Sequence, residues 1–274
     1  MRISPKGLEV LSEIIAQRQF TYSYIWLDIA FLCALAGLLV FKRKYMTLIV
    51  GAVMGIVYMI VDYGVFHLVC HSRSIEGGSL FWTLLWMSVS YGFTNFVWIW
   101  LWLSKDEHLF EWSVLILSWW FCCPMLARAV PFGREVITIA RTTGEYHGYM
   151  ALILFAGYFL AIAYNLFQKR AQARINIAWI LAIGVLVQFG WEAGLLLGGI
   201  RSALIQSGEQ KILTLVVNSL LETNLGMPYV YIIFAALTAR FTEQLKPRKV
   251  KLSLAERIAE NNYERAGWRR KAEK

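Results

Sequence analysis

The chain reads as an all-α, polytopic helical membrane protein with seven transmembrane helices, and three observations lead there. Of its 274 residues, 58% are hydrophobic and only 16% charged, whereas soluble domains average about 45–50% and about 25%. A soluble fold of this length has no single core able to hide so much apolar surface. The excess is also clustered into runs nearly free of charge. A run of about 20 such residues crosses the ~30 Å hydrocarbon core as a helix. These runs lack period-2 alternation, so helices rather than barrel strands satisfy their backbone in lipid.

Residues 1–20 predict an amphipathic interfacial segment. Ser4-Pro5 supplies a cap and a first-turn proline, and Leu8, Leu11, Ile14 and Ile15 share one face of a helix over 4–20. Charges throughout Met1–Phe20 leave no apolar signal-peptide core. A transmembrane domain over 21–241 follows, with spans at roughly 21–41, 45–70, 79–103, 109–129, 147–167, 176–200 and 212–241. The longest break, Pro131 to Tyr146, reads as a polar surface loop. Residues 242–274 form a basic tail, in which Ser253-x-x-Glu256 is a capping box ahead of a surface-lying helix.

Orientation follows from the basic residues. Lys42-Arg43-Lys44, Lys169-Arg170, Arg174 and the ten basic residues from Lys246 onward fall on one face when the span count is odd. The N-terminus is then outside and the tail cytoplasmic, in a cytoplasmic (inner) membrane. Most of the formal charge of +9 lies after residue 245. That distribution fits anionic lipid headgroups, worth about 1 kcal/mol per basic residue, and not nucleic acid. Trp82 and Trp86 at the start of the third span, with Trp98, Trp100 and Trp102 at its end, read as interfacial belts. The four cysteines give no disulfide framework, since Cys33, Cys122 and Cys123 lie in apolar runs and Cys70 stands alone.

Ionisable side chains within the spans cost about 2.5–3.5 kcal/mol each and mark sites or interhelical bonds. Asp28, Asp62, His67, Glu192 and Glu222 are such residues. At ~1.5 Å per helical residue, Asp28 lies roughly 10 Å below the outer face. On the same scale Asp62 and Glu192 lie about 25 Å above the inner face, and Glu222 near the midplane. Tyr91, Thr94, Asn95, Gln188, Asn218, Thr223 and Asn224 supply amides and hydroxyls, and Trp191 beside Glu192 offers a ring for stacking. No Lys or Arg lies deep in a span; Arg128 and Arg141 are placed to reach the acids only from the outer rim. Gly226-Met227-Pro228 directly follows Glu222-Thr223-Asn224, so the last span should kink there and free carbonyls. Transporters build sites at such breaks.

Asp62-x-Gly64 resembles Glu192-x-Gly194, and Thr94-Asn95 resembles Thr223-Asn224 at a matching offset. The pattern implies a 3+1+3 parallel internal repeat. That layout occurs in SWEET-like sugar and vitamin-precursor transporters, although their proline-glutamine motif is absent. Gly51-x-x-x-Gly55 permits close helix contact in span two. His67 and His71, four apart, are metal-ligand candidates with Asp62 or His147. The paired-histidine motif of seven-helix zinc hydrolases is missing from the last span, as is a lysine for a retinal Schiff base. Nucleophile elbow, zincin and nucleotide-loop motifs are also absent, and no cofactor is implied.

The leading expectation is a membrane transporter or small-solute-binding protein with an outward-facing acidic and aromatic cavity, its partner a small polar or cationic solute. Glu222, Glu192 and Asp62 would carry charge recognition or protons, while Asn95, Gln188, Asn218 and Asn224 fix orientation. An intramembrane enzyme acting on a lipid or isoprenoid is the alternative, with Glu222 or Glu192 as general acid/base opposite His67 or His147. A membrane sensor or partner-binding subunit is the third reading.

Overall fold

The computed structural model describes residues 17–141, 146–201, 208–242, 246–247, 253–259 and 262. Most of them are helical, and six helices are long and apolar enough to cross a membrane. We number the elements α1 (Tyr22–Phe41), α2 (Tyr45–Val69), α3 (Leu80–Ser104), α4 (Leu109–Ala129), α5 (His147–Phe167) and α6 (Ile177–Leu197). Two 14-residue helices follow, α7 (Gly208–Leu221) and α8 (Met227–Arg240), separated by a turn over 222–226. Pro228 explains the break. It sits in the first turn of α8, where its missing N–H is harmless, but it cannot continue a helix arriving from α7.

α3 is the centre of the bundle, with 83% of its most apolar window buried, and α6 follows at 61%. The windows of α1, α2, α4 and α5 are only 17–28% buried and turn their apolar surface outward. α2 lies against α3 because Gly51, Gly55 and Gly92 let the two backbones close up. The Gly-x-x-x-Gly pair thus serves packing inside the chain. α2 leaves α-geometry at Ile60 and runs as π-helix to Val69, a rare form that concentrates at functional sites.

The all-helical expectation needs one correction. A three-stranded antiparallel sheet, β1 (Gln17–Thr21), β2 (Arg73–Glu76) and β3 (Val136–Arg141), covers one end of the bundle in the order β1-β3-β2. Residues 17–20, expected to end an amphipathic helix, are strand; 4–16 fall outside the described residues. The expected surface loop after Pro131 contains β3, the strand that joins the other two. Each strand alternates, and the buried positions are Arg18, Phe20, Arg73, Ile137 and Ile139. β1 is anchored on its far edge by the Gln19 N–H, which donates to the Ile200 carbonyl at 2.8 Å.

Lys42–Lys44, Lys105–His108 and Gln168–Asn176 lie at the opposite end. There Lys44 Nζ meets Asp106 Oδ2 at 2.6 Å. The helices ending at these turns close with Arg43 and Lys105 in the left-handed region, φ 56° and 51°. Both caps are Schellman-type, Lys44 and Asp106 donating to Leu39 and Leu101 carbonyls. The short tail helix over 254–259 has the expected reciprocal capping box: the Ser253 N–H donates to Glu256 Oε2 at 2.8 Å and the Glu256 N–H to Ser253 Oγ at 3.3 Å. The Ser253 backbone bond, then its hydroxyl, holds the Glu256 carboxyl below the usual carboxylate range. Ile258 is fully buried, and Asn262 Nδ2 donates to the Gln172 and Arg174 carbonyls.

Trp82 is exposed as a belt residue should be, but Trp98 and Trp100 are each only 3% exposed and belong to the core. Trp98 Nε1 donates to Ser113 Oγ at 2.8 Å, and Trp100 packs edge-on against Phe234.

Candidate functional site

Polar side chains from α2, α3, α6 and the 222–226 turn meet beneath the sheet. Gln188 and Glu192 are four apart and share one face of α6. Gln188 is the hub. Its Nε2 donates to Glu222 Oε2 at 2.8 Å and to Glu192 Oε1 at 3.4 Å, while its Oε1 accepts from Tyr91 at 2.8 Å and Thr223 at 2.5 Å. Glu222 and Thr223 reach this hub from the turn that follows α7, the Glu222 N–H still bonding the Asn218 carbonyl.

The acids are not free. Arg201 grips Glu192 with a fork, Nη2 to Oε1 and Nε to Oε2, each 3.0 Å. Asp62 takes Arg73 Nε on Oδ1 at 2.7 Å and Arg141 Nη2 on Oδ2 at 2.9 Å. Arg73 and Arg141 are direct cross-strand partners, a like-charge juxtaposition that destabilises a sheet unless something neutralises it. Asp62 does so by bridging both. Arg73 also lies 4.5 Å from the Phe66 ring centroid. Burial, then Arg141, lowers the Arg73 pKa to about 10, which leaves it charged at neutral pH. Arg141 feels the opposing pulls of burial, which disfavours its charge, and of Asp62 and Glu222, which outweigh it and raise its pKa.

Arg18 enters from β1 and is 4% exposed. Burial, then Arg201 and Arg141, lowers its pKa to about 9. It faces a small cavity of ≈ 20 Å³ lined with Phe20, Tyr24, Trp86, Ser90 and Trp191, room for about one water. A much larger apolar cleft of ≈ 640 Å³ lies on the side of the bundle between α1 and α3. Trp86 lines both spaces.

Of the residues expected to form the site, Asp62, Tyr91, Gln188, Glu192 and Glu222 come together with Thr223. Trp191 packs edge-on against Tyr91 at 5.4 Å. Asp28 makes a separate centre, accepting from Trp86 Nε1 at 3.0 Å and Trp119 Nε1 at 3.1 Å. Asn224 is tied to the Ser219 carbonyl and Tyr158. Asn218 is buried on α7 and makes none of the hub's bonds. Asn95 is fully buried, with no partner for either amide atom among the described residues. His67 stacks on Tyr63 at 5.2 Å and His71 is exposed at the end of α2; among the described residues no three His, Cys, Asp or Glu group as metal ligands.

Arg18, Arg73, Arg141 and Arg201 were missed as site residues, because charges in the breaks between spans read as orientation signals. Alternation was the signal that could have found them: Arg18-x-Phe20 and Ile137-x-Ile139-x-Arg141 put arginine on the face that Phe and Ile bury. With them Asp62 and Glu192 are ion-paired, while Glu222 bonds the Gln188 amide. No known family model matches the chain, and no curated protein or solved structure is similar to it.

Proposed function

We propose that the chain is a membrane transporter or small-solute-binding protein of seven spans, α7 and α8 being the halves of the broken seventh, caught closed beneath its sheet. The observation that carries this reading is the meeting of two interrupted helices, π-helical α2 at Asp62 and the break at Glu222, around one buried polar hub. Interrupted helices free backbone groups and allow rearrangement at mid-membrane depth. Glu222 bonds a neutral amide rather than a guanidinium, so it can gain or lose a proton without stranding a buried cation. It is our candidate for proton coupling. Charge balance favours a polar solute that is neutral or negative.

The 3+1+3 repeat gains support from a shared device. Asp62 near the end of α2 pairs with Arg73 just beyond it, as Glu192 near the end of α6 pairs with Arg201. In this reading the sheet lies outside, and the tail, docked on the 168–176 turn, faces the cytoplasm and its anionic headgroups. The membrane is then the cytoplasmic (inner) one.

The alternative, an intramembrane enzyme acting on a lipid or isoprenoid, is favoured by the lateral apolar cleft, with Trp26 and Trp82 exposed at its walls and the Trp86–Asp28 bond behind it. Thermal unfolding of the purified protein against neutral and anionic solutes, cations and lipids separates the two. A solute at 100-fold its dissociation constant should stabilise by about 2.7 kcal/mol, and Glu222→Gln should lose that shift. Shifts by lipids alone put the enzyme first, and no shift by any class overturns both.

A further inference from the structure

We propose that the small cavity in front of Arg18 binds a monovalent anion, either a free halide or the carboxylate end of the solute. Arg73 and Arg141 share Asp62, and Arg201 is paired in a fork with Glu192. Arg18 is the fourth guanidinium of the site; among the described residues none of its nitrogens bonds a carboxylate, and its buried Nε has no hydrogen-bond partner. Burying an uncompensated charge is costly, and such groups persist when something neutralises them. Glu192 and Glu222 act on Arg18 only at a distance and already serve Arg201 and Gln188.

The cavity itself selects the sign. Trp191 in its wall has a buried indole N–H that also lacks a partner among the described residues. Among the described residues no carboxylate lines the space; Asp28 lies behind its wall, held by the indoles of Trp86 and Trp119 and by Ser90. Two donors without partners among the described residues suit an anion, and a cation finds no oxygen ligand there other than the hydroxyls of Tyr24 and Ser90. A volume of ≈ 20 Å³ takes one atom of water size, such as a halide or one carboxylate oxygen, and excludes sulfate and phosphate. Arg18 also belongs to β1, the strand tied to Ile200 at the end of α6. An anion here therefore braces the sheet against the bundle.

This inference rests on the same site as the transport reading but is tested without a transported solute. The full-length protein is purified in detergent in gluconate buffer. Its melting temperature is then followed during titration with chloride, formate, acetate and sulfate at constant ionic strength. Chloride or formate should raise the melting temperature saturably, while sulfate should not. Arg18→Gln should flatten the response. Trp191→Phe, the milder change should Arg18→Gln fail to fold, should require about three- to tenfold more anion for half the shift, as expected for one lost hydrogen bond. Chloride acting alone identifies a free-halide site, and formate or acetate acting more strongly identifies the carboxylate end of a solute. A flat wild-type titration overturns the proposal, as does an Arg18→Gln variant with the full response. A flat anion response beside intact solute shifts removes only this site; lost solute shifts beside an intact anion response remove only the transport reading.

Discussion

Asp62 illustrates how one carboxylate can hold two elements of different kinds. It rises from the π-helical part of α2 and fixes the last residue of β3 and the first of β2, which face each other across the sheet. Asp62→Asn keeps the shape but leaves buried Arg73 beside half-buried Arg141 without a counter-charge, and should destabilise by about 3–5 kcal/mol, the usual cost of breaking a buried pair from one side. Thermal unfolding of the single variant and of Asp62→Asn/Arg73→Gln/Arg141→Gln checks this, because removing all three charges should recover much of the loss. The acids were legible in the sequence because each interrupts an apolar run. Their partners were not, because an arginine in a charged break looks the same whether it meets water or turns inward along a strand.

Among the elements, the α2–α3 contact depends on missing side chains. A Cβ on Gly92 would stand 2.7 Å from the Met54 carbonyl oxygen and 2.8 Å from Gly55 Cα, backbone atoms that cannot rotate away. Gly92→Val should therefore cost about 1–3 kcal/mol of stability by overpacking. Gly37→Val, at an exposed position of α1 with nothing within 4 Å, should leave the melting temperature nearly unchanged. Helix positions and the tail's capping box were readable from hydropathy and local spacing, since both are properties of near neighbours. The break between α7 and α8 was anticipated as a kink from Pro228. Trp98 and Trp100 misled, because a tryptophan-rich helix end looks alike in the interface and in a crowded bundle centre.

For the molecule as a whole, the sheet is, in the transport reading, the barrier between the polar hub and one side of the membrane. Gln19 donates its N–H to Ile200, away from β3, so Gln19 and Thr138 form a non-hydrogen-bonded pair. Such pairs hold Cα atoms about 4.5 Å apart, within the range a disulfide spans. Oxidised Gln19→Cys/Thr138→Cys should therefore gain about 2–4 kcal/mol of stability and lose solute uptake in proteoliposomes, both reversed by reductant. Uptake unaffected by the bridge would show that the sheet need not open. The sheet was the feature least legible in the sequence. Its strands are four to six residues long and pair across about sixty positions (β2 with β3) or more than a hundred (β1 with β3), so only a weak local alternation announced them. The strand order has a further consequence, for biogenesis. Asp62 and Arg73 are 11 residues apart and Glu192 and Arg201 are 9, so a ribosome delivers each of these acids with its own counter-ion in a single hairpin. β3 is the middle strand yet the last of the three to be made, so β1 and β2 leave the translocon with no strand to pair with. Release of residues 136–141, which follow the fourth long apolar helix, is then the step at which the sheet end of the nascent protein can first close.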